Sequence, residues 1–485
     1  MGEKADEHTG SVSDSTMVDL EKAVEAPSSQ ANTSGETTLD WDDPANKQNP
    51  THWPLWIKII HTFIPCCLSF TITFATSVTV PATRILAQDF DLSRTYSLLP
   101  LTLYTLGIGF GPLFIAPLSE AFGRKWIYIS THLVFMLFIL GAALSPTFSG
   151  VLACRFLAGF LGSAGVAVGA GTATEIWQHP SSRGISALLF ILGPFLGPTL
   201  GPLAGAYVLA GHDNNWRWTQ YTILVLSLPI WCGLIWMRET HKATILKGAV
   251  KMPAKQILQL IKGATIRPTK MLFTETIVAS LTLYTAYAYA MIFSFFTSVS
   301  YVLPLYYGFD GRQVGLSLLA VIIGYLLASL LYGIFDKTLY VKAAARSPDG
   351  MAAPEHRLYS GLVGSVLIPA SLFWYAWEAR QGGDWARLVA AGIPFGLGSF
   401  SLFLSAITYQ ADVYKAGAAA SALAANGTLR YTLGAVFPLF TVQMYEKLGV
   451  QWAGSLFAFL SLVLLPIPWL LFKYGPKLRA MDRRF

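Results

Sequence analysis

Twelve apolar stretches, each about as long as the ~20-residue helix that crosses a bilayer, fill this chain from residue 57 to residue 473. With Gly, Pro and charge clusters read as punctuation, they fall at 57–80, 95–116, 127–145, 149–171, 184–209, 219–237, 277–302, 313–335, 358–378, 387–409, 418–441 and 450–473. The first ~55 residues differ, being rich in Ser, Thr, Glu and Asp, too polar to bury a core. The pattern predicts an all-α polytopic membrane protein of twelve transmembrane helices in two six-helix halves. It divides into a disordered tail (1–55), a first half (56–237), a central loop (238–276), a second half (277–473) and a C-terminal tail (474–485).

Charge orients this array. Arg124, Lys125, Arg183 and the eight basic residues from Arg238 to Lys270 fall on one side of the predicted membrane, together with Lys477, Arg479, Arg483 and Arg484. Positive residues stay on the cytoplasmic side, so both termini are expected there. A start without a basic stretch followed by an apolar one argues against a signal peptide, leaving the first span to direct insertion. Lys251 to Lys262 alternates Lys with Ile and Leu at helical spacing, which fits a helix on the inner membrane surface or a solvated linker equally well.

Composition sharpens the class. The chain is 53% hydrophobic and 13% charged, with mean hydropathy +0.49, whereas soluble domains carry roughly 25% charged residues. The net charge of +7 does not indicate nucleic-acid binding, because the basic residues lie in gaps between apolar runs and not on one face. Cys66, Cys67, Cys154 and Cys232 sit inside apolar segments without disulfide or metal spacing. The phosphate-cradling GxxxxGK[ST] loop of an ATP-driven pump is absent, and eight scattered histidines offer neither a metal site nor an enzyme's catalytic cluster. No cofactor is expected.

Three segments carry mechanism. Gly111 to Lys125 ends in Glu120, Gly123, Arg124 and Lys125, a short connection in which Gly123 permits a tight turn. In the fourth span Arg155, Gly159 and Gly162 share one helix face, and an arginine in hydrocarbon is expected to face a partner or a watery cavity. That span ends in Glu175, which with Arg183 is a second candidate charge contact. The fifth span sets Gly193, Gly197, Gly201 and Gly205 along a smooth stripe for close helix approach. Pro194, Pro198 and Pro202 each delete a backbone hydrogen bond.

These segments resemble the major facilitator superfamily, in the form found in fungal-type twelve-span drug:proton antiporters. Further pieces that look like that branch are Trp41 to Pro54, Pro354 to Leu358, Ser421 to Asn426 with Arg430, and Pro438 to Phe440, so the resemblance covers about residues 40 to 480. It implies that Glu120, Gly123, Arg124 and Lys125 lock the outward-facing state, that Arg155 senses proton movement, and that the span-five motif marks an antiporter. The implied function is secondary transport by alternating access, exporting drugs, toxins, secondary metabolites or polyamines and driven by a proton gradient. Proton-coupled uptake or facilitated uptake, and a non-transporting sensor, are the alternatives.

For the proton, the candidates after Glu120 and Arg155 are Glu175, Asp412, His132 and His61, since the first span has no acid. For the cargo, a small amphipathic or cationic molecule, the candidates are Tyr284, Tyr287 and Met291 on one face of span seven and Asn426 in span eleven. Ser69 and Thr73 on the polar face of span one join them. The expected setting is a monomer in the plasma membrane, with the vacuolar membrane second.

Overall fold

The computed structural model describes residues 41, 43, 46–177, 180–247, 254–347, 352–414 and 416–481, and these are helical almost throughout. Among them ten helices are long and apolar enough to cross a membrane, and a bent pair makes an eleventh. That pair is the second span, Leu99–Phe110 followed by Pro112–Phe122, bent by 43°. The eleventh span, Ala416–Val436, is helical but more polar, carrying Asn426, Thr428, Arg430 and Thr432. Such a helix is tolerated because it is wrapped by protein and not by lipid. It packs along the seventh span, Thr276–Tyr307, and against the second.

Most helices outrun the apolar stretches that predict them. The fourth span continues as Phe148–Gly162 and Ala164–Ile176, so Glu175 lies on the helix. The fifth runs as Pro180–Gly211. The segment after Gly111, expected as a connection, is mostly helix, and only Gly123 interrupts it before Arg124–Leu144 begins. A turn that tight requires left-handed backbone, and Gly123 has φ +92°.

Each half is built from intimate helix pairs: the first span (Leu55–Ser77) on the fifth, the second on the fourth, the eighth (Leu319–Phe335) and ninth (Tyr359–Glu378) on the tenth (Gly392–Val413), and the seventh on the eleventh. The halves meet where the second span crosses the eleventh and the fifth crosses the eighth. The central loop contains a helix, Ala254–Thr274, longer than the amphipathic stretch read from the sequence. Its end docks on the second half, burying Met271 against Val278, Ala422 and Ala425, while Leu258, Ile266 and Phe273 stay exposed.

Candidate functional site

Two charge clusters mark one end of the bundle, one in each half. In the first, Arg124 donates from Nε and Nη2 to Glu175 at 3.2 and 3.1 Å and from Nη1 to the Ser119 hydroxyl at 2.6 Å. Glu175 also accepts the Thr240 hydroxyl at 2.7 Å. Glu239 completes the arrangement by accepting the backbone N–H groups of Arg124 and Lys125 at 2.9 and 3.1 Å. A carboxylate at a helix start satisfies donors that lack partners there and meets the positive end of the helix dipole. Glu120, expected to take part in the lock, is exposed, and among the described residues neither it nor the Lys125 side chain forms an ion pair. The side chain of Arg183 lies outside the described residues.

The second cluster centres on Arg357, which donates to Asp336 at 2.7 Å and to Asp412 at 2.8 Å and lies 3.6 Å from the Tyr340 ring centre. Burial disfavours its charge, but the neighbouring tyrosines and Asp412 hold the guanidinium above its ordinary range. Asp412, foreseen as a candidate, thus has its partner fixed. Neither cluster joins one half to the other: the first closes within the first half and the start of the central loop, the second within the second half. Among the described residues the one ion pair joining the halves, Arg94 to Glu446 at 3.5 Å, is at the opposite end, beside Thr102 donating to the Ala435 carbonyl at 3.0 Å.

Arg155 is fully buried and satisfied. It donates to the carbonyls of Ala75 (2.7 Å) and Pro100 (3.4 Å) and to Gln220 Oε1 (3.5 Å), and its guanidinium lies 4.2 Å from the Tyr104 ring centre. It thereby ties the first, second and sixth (Arg217–Trp236) spans to the fourth, and no carboxylate among the described residues pairs with it. His61 is similarly occupied, between the Ile57 carbonyl and the Arg238 N–H, each at 2.9 Å. His132 faces the Ser227 carbonyl at 3.3 Å.

The glycine stripe of span five lies flat on span one. A Cβ at Gly197 would stand 2.6 Å from the Phe70 carbonyl oxygen and one at Gly201 2.8 Å from the Val78 nitrogen, while Gly193 and Gly205 face the Cys66 and Val78 carbonyls. The prolines leave a consequence in the same contact: Pro202 has no N–H for the Pro198 carbonyl, and the Ser77 hydroxyl of span one donates to it at 2.6 Å. Thr73 takes part in this packing against Gly197, its hydroxyl donating to the Ser69 carbonyl at 2.9 Å, while the buried Ser69 hydroxyl has no partner.

Of the other cargo candidates, Tyr284 donates to the Ser365 carbonyl at 3.4 Å and Tyr287 to the Phe457 carbonyl, so both turn into the second half. Met291 lines a small cavity with Leu372, Tyr375 and Phe457, also within that half. Asn426 donates to the Thr285 hydroxyl at 2.8 Å. One helical turn on from Asn426, Arg430 is surrounded by Tyr289, Phe403 and Tyr431, with ring centres 4.7, 4.7 and 4.4 Å away. Phe195 of span five, between Pro194 and Leu196, reaches this group from the first half, 4.7 Å from the Phe403 ring and 6.0 Å from Tyr289. The sequence marks Arg430 as part of a motif but gives no hint of its surroundings, which four separate helices supply.

Comparison with known proteins agrees with this architecture. Residues 66–438 match the family model for the Major Facilitator Superfamily. Polyamine transporter 4 of Saccharomyces cerevisiae is 34% identical over 480 residues, covering 91% of this chain and 72% of that protein. Efflux pump radE of Floropilus chiversii is 32% identical over 462 residues, covering 92% and 85%. The crystal structure of the human organic anion transporter MFSD10 (TETRAN) superposes with a TM-score of 0.59 at 14% identity, over 86% of this chain and all of that one, a likeness of fold. The chain is a member of the Major Facilitator Superfamily, a multi-pass secondary transporter and not an enzyme.

Proposed function

We propose that this protein exports small amphipathic organic molecules in exchange for protons, by rocking its two halves about the seam between spans two and eleven and spans five and eight. The observation that carries the reading is the asymmetry of that seam. An ion pair and hydrogen bonds between the halves join it at the Arg94–Glu446 end, whereas neither charge cluster at the other end pairs one half with the other. Between the ends lies the group of buried polar and aromatic side chains to which both halves contribute. A site reached from one end while the other is closed is what alternating access requires.

In this reading the charge-cluster end faces the cytoplasm, as do both termini, and the conformation is inward-facing. The protein works as a monomer, in the plasma membrane before the vacuolar membrane, with residues 56–237 and 277–473 as the moving halves. The proton gradient supplies the energy and no cofactor takes part. Glu175 is the proposed proton site: protonation would weaken its bonds to Arg124 and Thr240 and free the guanidinium that anchors the turn at Gly123. Export is favoured over uptake by the span-five stripe and by the efflux pump among the relatives.

Sealed inside-out vesicles test the proposal. With an acid lumen, a panel of amphipathic compounds is expected to accumulate, and an uncoupler is expected to abolish accumulation. Glu175→Gln should cut the gradient-driven rate about a hundredfold or more, the scale of losing a proton-transfer group. Movement indifferent to the gradient would make the protein a facilitator instead.

A further inference from the structure

Among the described residues, Arg430 is the buried arginine with side-chain nitrogens left without a partner. Its side chain is only 6% exposed, yet Nε and Nη1 are buried with no hydrogen-bond partner, and among the described residues no carboxylate forms an ion pair with it. The three aromatic rings around it offer π-faces to a cation, but a guanidinium has five donors and a ring face satisfies none of them with an oxygen. A buried cation with unbonded N–H groups and no carboxylate beside it forms a set of donors without a charged acceptor. Such a set is completed by oxygen atoms carrying negative charge.

We infer that Arg430 binds the anionic group of the cargo, so that the substrate class is an amphipathic organic anion, a carboxylate, sulfonate or similar oxyanion attached to a flat apolar body. The rings of Phe195, Tyr289, Phe403 and Tyr431, packed edge-to-face or tilted on one another, supply an aromatic lining for that body once they part to admit it. Because Phe195 belongs to one half and Arg430 to the other, a cargo held there touches both moving parts. This assignment rests on the export reading for its direction, and it replaces the cationic preference expected from the sequence. It has an electrical consequence. An anion leaving while a proton enters carries positive charge inward twice over, so transport is driven by membrane potential as well as by the pH gradient.

Three probes on one scaffold separate the possibilities without pH trapping: naphthalenesulfonate (anion), naphthalenesulfonamide (neutral) and naphthyltrimethylammonium (cation). Purified wild-type protein in detergent is expected to be thermally stabilised by the anion at concentrations about tenfold below those needed for the other two, the scale of one or two hydrogen bonds to a charged donor. In Arg430→Gln this preference is expected to vanish, while Arg430→Lys retains part of it. Equal stabilisation of the wild type by all three probes, or stabilisation by the cation alone, would overturn the assignment, and that result needs no variant to fold. A preference unchanged in a monodisperse Arg430→Gln protein would overturn it as well. Binding without any gradient-driven flux in vesicles would instead defeat the export reading and leave the anion site standing. In vesicles that do transport, a lumen-positive potential should speed uptake of the anion.

Discussion

Arg155 and Arg430 are both arginines buried at the level of the membrane, one in each half, and they are solved in opposite ways. Arg155 has carbonyl and amide oxygens from three neighbouring helices and one ring face. Arg430 has three ring faces and two unpaired nitrogens. Cation–π contacts contribute about 0.5–2 kcal/mol each, while an unsatisfied buried donor costs about 1–3 kcal/mol and a charged one more. The first arginine therefore stabilises the resting fold. The second keeps donors that the resting fold leaves without an oxygen and that a ligand would satisfy. The difference teaches that burial of a charge does not by itself reveal its job; the oxygen atoms within reach of it do.

The largest effect expected from breaking this contrast comes from Arg155→Ala. It strips the Ala75 and Pro100 carbonyls and Gln220 of a charged donor, and loss of about 3 kcal/mol or more is expected from two or three such bonds. It should appear as a melting temperature well below that of the wild type in detergent, with transport lost as the helices loosen. An unchanged melting temperature would move Arg155 from the scaffold to the transport cycle. Next comes Gly201→Val, which drives a branched side chain into the Val78 backbone and the Ser77 contact of span one. Overpacking of this kind costs about 1–3 kcal/mol, measurable by the same melting assay, and transport should fall with it.

Arg430→Gln is expected to sharpen the comparison by doing the reverse, leaving the melting temperature of the unliganded protein equal to or above that of the wild type. Asp412→Asn, which removes one of two carboxylates from the half-exposed Arg357 cluster, should cost about 0.5–1 kcal/mol, with Asp336 retaining the arginine. The smallest effect belongs to Tyr284→Phe. Its hydroxyl donates over 3.4 Å to a carbonyl within the second half, so the substrate range should stay unchanged, whereas Tyr289→Phe, at the seam, should alter it. A changed range in Tyr284→Phe would return that face of span seven to the binding site.

Much of the fold is legible in the sequence because membrane insertion depends on local properties. Apolar length marks most of the spans that the structure forms as long helices. The stripe from Gly193 to Gly205 is likewise readable, since its spacing lies on one helix. The eleventh span shows the limit: Asn426 and Arg430 make it a weak span by composition, and only its burial against the seventh explains it. The candidate site depends on contacts the sequence cannot display. Glu239 meets Arg124 from 115 positions away, and Arg357 meets Asp412 from 55. Helical spacing places Tyr284, Tyr287 and Met291 together, yet span seven is buried nearly all round, so periodicity cannot say which face looks at the seam. Tyr289 does, and it lies between residues the sequence singles out.

The claim beneath all of these is that the halves separate at the Arg94–Glu446 end once per transport cycle. Thr95 and Gln443 are hydrogen-bonded across that end, so cysteines at those two positions, in a background lacking Cys66, Cys67, Cys154 and Cys232, can be joined by a short thiol linker. In sealed inside-out vesicles with an acid lumen, joining them is expected to stop accumulation and cleaving a reducible linker to restore it. Undiminished accumulation with the linker fully in place would contradict the account.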